Sequence, residues 1–130
     1  MKEQIAFYKQ KLQYETDAWD LAEALKTKNN IIIVDARSTE AWDKEHIPGS
    51  INFPHREITI ESTEKLDRSK LYVTYCDGIG CNASTKAAFQ LSRLGFRVKE
   101  LIGGLEWWKR DGYETQGKFA ENKEFTNCGC

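Results

Sequence analysis

No uninterrupted apolar stretch in the 130 residues reaches even the length of a signal-peptide core. The first residues, "MKEQIAFYKQKLQYE", thread charges through their apolar positions. Export and membrane insertion are therefore disfavoured, and the expected location is the cytoplasm. An excess of one charge is also missing: 19 Lys and Arg stand against 20 Asp and Glu. Neither a nucleic-acid partner nor an anionic membrane is expected, since both select a one-sided basic field. There are no internal repeats, low-complexity tracts or Pro/Gly-rich linkers, which leaves one domain. Its expected parts are a helical lead-in over residues 1–15, a body over 16–117 and a polar tail over 118–130 ending in Cys-Gly-Cys. A chain of this size buries about two thirds of the surface its unfolded form exposes, so it needs no disulfide framework to stand. In a reducing compartment its four cysteines read as thiols with chemistry or as metal ligands.

The apolar periods then place the elements. Residues 2–13 carry Ile5, Tyr8 and Leu12 on one helical face, and "TDAWDLAEALKTKNN" repeats the pattern with Trp19, Ala22 and Leu25 behind Thr16 or Asp17 as N-cap. "NIIIVDA" is continuous, apolar and β-branched without alternation, as in a strand covered on both faces of a parallel sheet. "STEAWDKEHI" opens a short helix at Ser38 or Thr39, and Pro48-Gly49 turns the chain into a short strand. "KLYVTYC" is a second buried strand, "NASTKAAFQLSRLGF" a helix closed by Gly95, "RVKELIG" a strand and "GLEWWKRDGY" a helix stopped by Gly112. Strands alternating with helices predict an α/β fold with a central parallel sheet flanked by helices on both faces. Ligands in such folds bind beyond the carboxyl ends of the strands, and Cys76 ends one.

A cysteine between a strand end and a glycine-containing loop that opens a helix lies where backbone N–H groups converge, a setting that favours the thiolate. Gly78 and Gly80 allow the positive φ that such a cradle needs. Cys76 is thereby a candidate nucleophile, and the cradle would also hold the anion formed when sulfur attacks a substrate. The alternative is a small buried apolar residue that merely ends a strand. Trp107 and Trp108 are adjacent on a helix and cannot face the same way, so one belongs to the core and the other walls the pocket.

Three segments resemble the rhodanese-like domain family. "VDARSTEAWDKEHIPGSINFP" is similar to its first signature, "YC" with the loop and helix to its active-site loop, and "LIGGLEWWKRDGY" to its C-terminal signature. The resemblance covers about residues 16–115. It implies a rhodanese fold and a catalytic cysteine, Cys76, that carries sulfane sulfur as a persulfide. It also implies a substrate-binding loop of Asp77, Gly78, Ile79, Gly80, Cys81, Asn82, Ala83 and Ser84, with neither cofactor nor metal. Asp35 and Arg37 become a polar framework at the end of the first core strand, and the His46-Ile47-Pro48-Gly49 turn positions the next strand. Neither Arg37 nor His46 is taken as catalytic.

The sequence departs from the family pattern in the loop. Counted back from Ala87-Ala88 and Gly95-Phe96, it is about two residues longer than the typical form, with Asp77 directly after the thiol and no basic residue before Lys86. An acidic neighbour should repel a dianion such as thiosulfate unless it points to solvent, so a neutral or protein-bound sulfur donor is expected. Six residues after Cys76 stands Asn82, where a phosphatase relative of this fold needs Arg, which argues against phosphoryl chemistry. Cys81 is a candidate resolving thiol or a small packed residue. Cys128 and Cys130 could accept sulfur or, with the loop cysteines, form a four-thiolate zinc site, although neither spacing is the usual Cys-x2-Cys knuckle. Two functions stand at this point. One is a sulfurtransferase or sulfur carrier passing sulfane sulfur from a donor to a thiol, cyanide or protein acceptor, as monomer or homodimer. The other is a non-catalytic redox-sensing or protein-binding module using Cys76 and Cys81.

Overall fold

Each continuous β-branched run becomes a strand buried on both sides, and each amphipathic run a helix laid across it. The computed structural model describes residues 1–120. Its elements follow in the order α1 (Lys2–Tyr14), β1 (Glu15–Thr16), α2 (Ala18–Thr27), β2 (Ile31–Asp35), α3 (Thr39–Lys44), β3 (Ile51–Asn52), a 3-10 turn (His55–Glu57), β4 (Leu71–Tyr75), α4 (Ala83–Arg93), β5 (Arg97–Leu101) and α5 (Gly104–Arg110). The strands form one sheet in the order β1-β5-β4-β2-β3, and every pairing is parallel. Successive side chains leave opposite faces of a strand, so Ile33 and Val73 join α2 and α5 in one core while Val34 and Tyr72 join Ala87 and Leu91 of α4 in the other. Register sets Asp35 of β2 beside Tyr75 of β4, so the carboxyl ends of the two central strands open side by side.

Local signals explain the boundaries. The Asp17 carboxylate accepts the Asp20 N–H at 2.8 Å to start α2, and the Ser38 hydroxyl oxygen accepts the Ala41 N–H at 3.2 Å to start α3. Gly95, at φ +91°, closes α4. Among the described residues no helix is long and apolar enough to cross a membrane.

Two expected faces are not where the period placed them. The buried stripe of α2 is Ala18, Leu21 and Ala22, while Trp19 is 61% exposed and Leu25 lies at the margin. The Asp17 cap sets the helical phase, and Trp19 falls roughly 100° around from Ala18. Helix α1 forms but buries no residue, and Ile5, Tyr8 and Leu12 are exposed. It rests against β1 and β5 at the sheet edge, beyond the faces that α2, α4 and α5 already cover. At the other end the backbone N–H groups of Lys118 and Phe119 donate to the carbonyls of Asp43 and Lys44, which fastens the chain beyond residue 117 to the end of α3. Cys128 and Cys130 lie outside the described residues.

Candidate active site

Strand β4 ends at Tyr75 and delivers Cys76 with 1% of its surface exposed. Residues 77–82 then loop to α4. The loop is fastened from below: the N–H groups of Leu105 and Glu106, in the first turn of α5, donate to the carbonyls of Cys76 and Asp77 at 2.9 and 2.8 Å. That approach explains the Gly103-Gly104 pair. Both residues have positive φ, and a Cβ on Gly104 would collide with the carbonyl oxygen of Cys76. Gly80 has φ +96° as expected, but Gly78 does not take positive φ; a Cβ there would stand 2.9 Å from a Glu106 carboxylate oxygen, a contact that this half-exposed side chain can relieve by turning away. Trp108 is buried with its indole N–H donating to the Glu114 carbonyl at 2.7 Å, and Trp107 is 38% exposed beside the loop.

Cys76 and Cys81 are joined as a disulfide, with their Cα atoms 6.3 Å apart, inside the separation that such a bond spans. The backbone N–H groups of Asp77, Gly78, Ile79 and Gly80 donate to no acceptor among the described residues. Ile79 is 74% exposed at the loop tip. Asn82 is the N-cap residue of α4 without a side-chain cap bond, and Ala83 and Ser84 form the helix's first turn. The Ser84 hydroxyl donates to Glu100 at 2.7 Å and so is not free to serve the sulfur. Two clefts flank the disulfide. One of about 300 Å³ is lined by Gly78, Ile79, Glu100 and Ile102, and the other, of about 480 Å³, by Arg37, His55, Arg56 and Asp77.

Arg37 ties the framework together. Its guanidinium donates to both oxygens of Asp35, the shortest contact being 2.7 Å, to Asp77 at 2.9 Å and to the Glu45 carbonyl at 2.6 Å. Burial opposes the Arg37 charge, but the hydrogen bond and charge of Asp35 and the hydrogen bond of Asp77 outweigh it and hold the pKa above the ordinary value. Asp35 is fully buried and also accepts the Tyr75 hydroxyl at 2.8 Å; burial, then the Asp35 charge, pushes the Tyr75 pKa up. Asp77 is thus paired with Arg37 while 72% of its side chain remains exposed, so both charge compensation and solvent weaken its repulsion of an anion. Sequence spacing did not disclose this pair, whose partners are 40 positions apart. His46 is buried, stacked on Trp42 with ring centroids 4.0 Å apart and bonded through Nδ1 to the Trp42 carbonyl at 2.6 Å, a structural role. His55 and Arg56, not singled out from sequence, line the larger cleft, where burial and the neighbouring Lys86 and Arg56 lower the His55 pKa.

Ligand atoms of Cys76, Asp77 and Cys81 lie within 4.8 Å of one another. The two sulfurs are bonded to each other and the carboxylate is bonded to Arg37, so this set does not fit a metal as it stands.

The protein is thus a parallel α/β domain that holds a cysteine in a glycine loop at the end of its central strand. The family model for the rhodanese-like domain matches residues 17–111, and the chain belongs to that family. It is 36% identical over 95 residues to a thiosulfate sulfurtransferase GlpE of Coxiella burnetii, covering 72% of this chain and 81% of that one. A putative sulfur carrier protein YrkF of Bacillus subtilis is 29% identical over 91 residues, covering 66% of this chain and 48% of that one. The crystal structure of the BH2092 protein from Bacillus halodurans superimposes with a TM-score of 0.86 at 40% identity over 98% of both chains.

Proposed function

We propose that the protein is a sulfurtransferase or sulfur carrier working through a persulfide on Cys76. The observation that carries the reading is a strand-end cysteine followed directly by a loop in which the N–H groups of residues 77–80 have no acceptor among the described residues. Such donors stabilise a thiolate and then a persulfide anion in the same place. Two thiol equivalents first reduce the Cys76–Cys81 disulfide to two thiols and leave joined as their own disulfide. The Cys76 thiolate attacks the outer sulfur of a donor R–S–S⁻, forming Cys76–S–S⁻ and releasing RS⁻. An acceptor thiolate takes that outer sulfur, and Cys76 leaves as thiolate. With no acceptor, the Cys81 thiol attacks the Cys76 sulfur of the protonated persulfide, releases hydrogen sulfide and returns the disulfide, so Cys81 resolves the intermediate. The names of the relatives support sulfur transfer as the class of reaction.

Polysulfide or a persulfide is the better donor in this reading and thiosulfate the poorer one. Arg37, the arginine bonded to the loop, has its donors committed to Asp35, Asp77 and Glu45, so of the two arginines lining the larger cleft only Arg56 is left to hold a dianion. In this reading the protein acts in a reducing cytoplasm as a monomer or homodimer, on a sulfane donor and a thiol or protein acceptor and without nucleic acid, membrane or cofactor. Replacing Cys76 by Ser tests the assignment: transfer from every sulfane donor should vanish while the fold persists, and retained transfer would overturn it.

The disulfide itself favours a second reading, a redox-sensing module in which the Cys76–Cys81 bond is the signal. Loading with polysulfide separates the two, since a sensor would gain no sulfur that cyanide removes.

A further inference from the structure

We infer that the apolar face beside the Cys76 loop docks a protein partner that presents its reacting cysteine among apolar and basic side chains. The inference rests on the persulfide reading and names the acceptor or donor class that this reading leaves open. Ile79 is 74% exposed, Trp19 61%, Ile102 44%, Trp107 38% and Leu12 78%. These side chains are not scattered. Trp19, Ile79, Ile102 and Trp107 line one groove of about 230 Å³, and Leu12 and Ile102 belong to an adjoining one of about 360 Å³. Ile79 and Ile102 also line the cleft that holds Cys76 and Cys81, so the apolar face runs up to the sulfur. A small thiol has no use for this area, whereas large exposed apolar patches mark interaction sites, and exposed aromatics make anchors in them.

Charge selects the kind of partner. Asp17, Asp20 and Asp111 rim the grooves with no cation paired to them among the described residues. The nearby bases are committed: Lys11 to Glu15 at 2.6 Å, and Arg110 to Glu106 at 3.5 Å with its guanidinium over the Trp107 ring. The complement is an apolar patch with a Lys or Arg rim. A second copy would set these aspartates against themselves across a two-fold axis. The chain's own segment 121–130, "ENKEFTNCGC", has two glutamates to one lysine and does not complement the rim either.

The test uses protein reduced with dithiothreitol, freed of the reductant and loaded with inorganic polysulfide. Its acceptors are two synthetic single-cysteine peptides, one flanked by Phe, Leu and Lys and the other by Phe, Leu and Glu, with N-acetylcysteine as the small thiol. Sulfur arriving on each is followed by mass spectrometry. The Lys peptide should accept with kcat/KM about tenfold above the Glu peptide, the ratio expected for about 1.4 kcal/mol of differential binding. Asp20→Lys should reduce that preference and Trp19→Ala should lower the rates of both peptides, neither changing the N-acetylcysteine rate. Equal rates for the two peptides overturn the inference, as do a preference untouched by Asp20→Lys or peptide rates untouched by Trp19→Ala. Dimers that Trp19→Ala dissociates would assign the face to a second copy, and truncation after Ala120 that alone raises both peptide rates would assign it to the chain's own end; either result also overturns it. Failure to load or to pass sulfur to N-acetylcysteine would instead defeat the persulfide reading.

Discussion

Replacing Arg37 by Met removes the guanidinium that joins Asp35, Asp77 and Glu45 and leaves the fully buried Asp35 without its counter-ion. Removing one partner of a buried pair costs about 3–5 kcal/mol. Asp35 keeps the Arg37 backbone N–H at 2.9 Å and the Tyr75 hydroxyl at 2.8 Å, which places the loss at the lower end, about 3 kcal/mol. With an unfolding entropy of about 2.1 cal/mol/K per residue, that loss lowers the Tm of a 130-residue chain by roughly 11 °C. Asp77→Asn is the internal control. It breaks the other arm of the clamp, but 72% of that carboxylate side chain is exposed, so solvent screening holds the cost to less than about 1 kcal/mol. Urea unfolding followed by far-UV circular dichroism, with the disulfide reduced in all three proteins, measures both. Equal losses for the two variants, or a loss under about 1 kcal/mol for Arg37→Met, would refute the claim that burial of Asp35 sets the size of the effect.

Gly104→Ala should destabilise by about 2 kcal/mol or more, because φ is +56° and the new Cβ strikes the Cys76 carbonyl; Gly49→Ala, at φ +79° with nothing within 4 Å, should cost only about 1 kcal/mol in the same unfolding assay. His55 has its folded pKa lowered by burial, then by Lys86 and Arg56, so folding favours the neutral ring; stability should fall as pH drops below the unfolded value of about 6.5, and His55→Gln should flatten that part of the stability profile. Cys81→Ser should keep sulfur transfer but lose the reversible disulfide, so that mild peroxide carries Cys76 on to sulfinic acid; peptide mapping that finds wild-type Cys76 equally over-oxidised would remove the protective role of Cys81.

The fold was legible wherever burial imposed a period. Residues 31–35 and 71–75 read as doubly covered strands because both faces of the central sheet are in fact packed. The glycine at position 95 marked one helix end, and the pair Thr16 and Asp17 offered two caps for another, of which the structure uses Asp17. The two-residue strand β1, Glu15–Thr16, left no signal because it is polar and too short to show alternation. Trp19 misled because its apolar area suggested core, whereas the phase of α2 turns it to solvent beside the loop. In the site, Cys76 and the glycine loop announced themselves by their position after a buried strand. The Arg37 clamp could not, since its sense depends on Asp35 and Asp77 meeting across two neighbouring strand ends. The glycine pair was visible as a motif, but its reason, the passage of the Cys76 carbonyl against Gly104, belongs to tertiary structure.

The central claim is that Cys76 carries sulfane sulfur, and one mass spectrum tests it most directly. Protein reduced with dithiothreitol, freed of it and treated briefly with polysulfide is digested without reductant, and the peptide holding Cys76 is weighed before and after cyanide. A gain of one sulfur on Cys76, removed by cyanide as thiocyanate and absent from Cys76→Ser, is the predicted result. A peptide that only loses two hydrogens, by closing the Cys76–Cys81 disulfide, or sulfur found on Cys128 or Cys130 with none on Cys76, would contradict it.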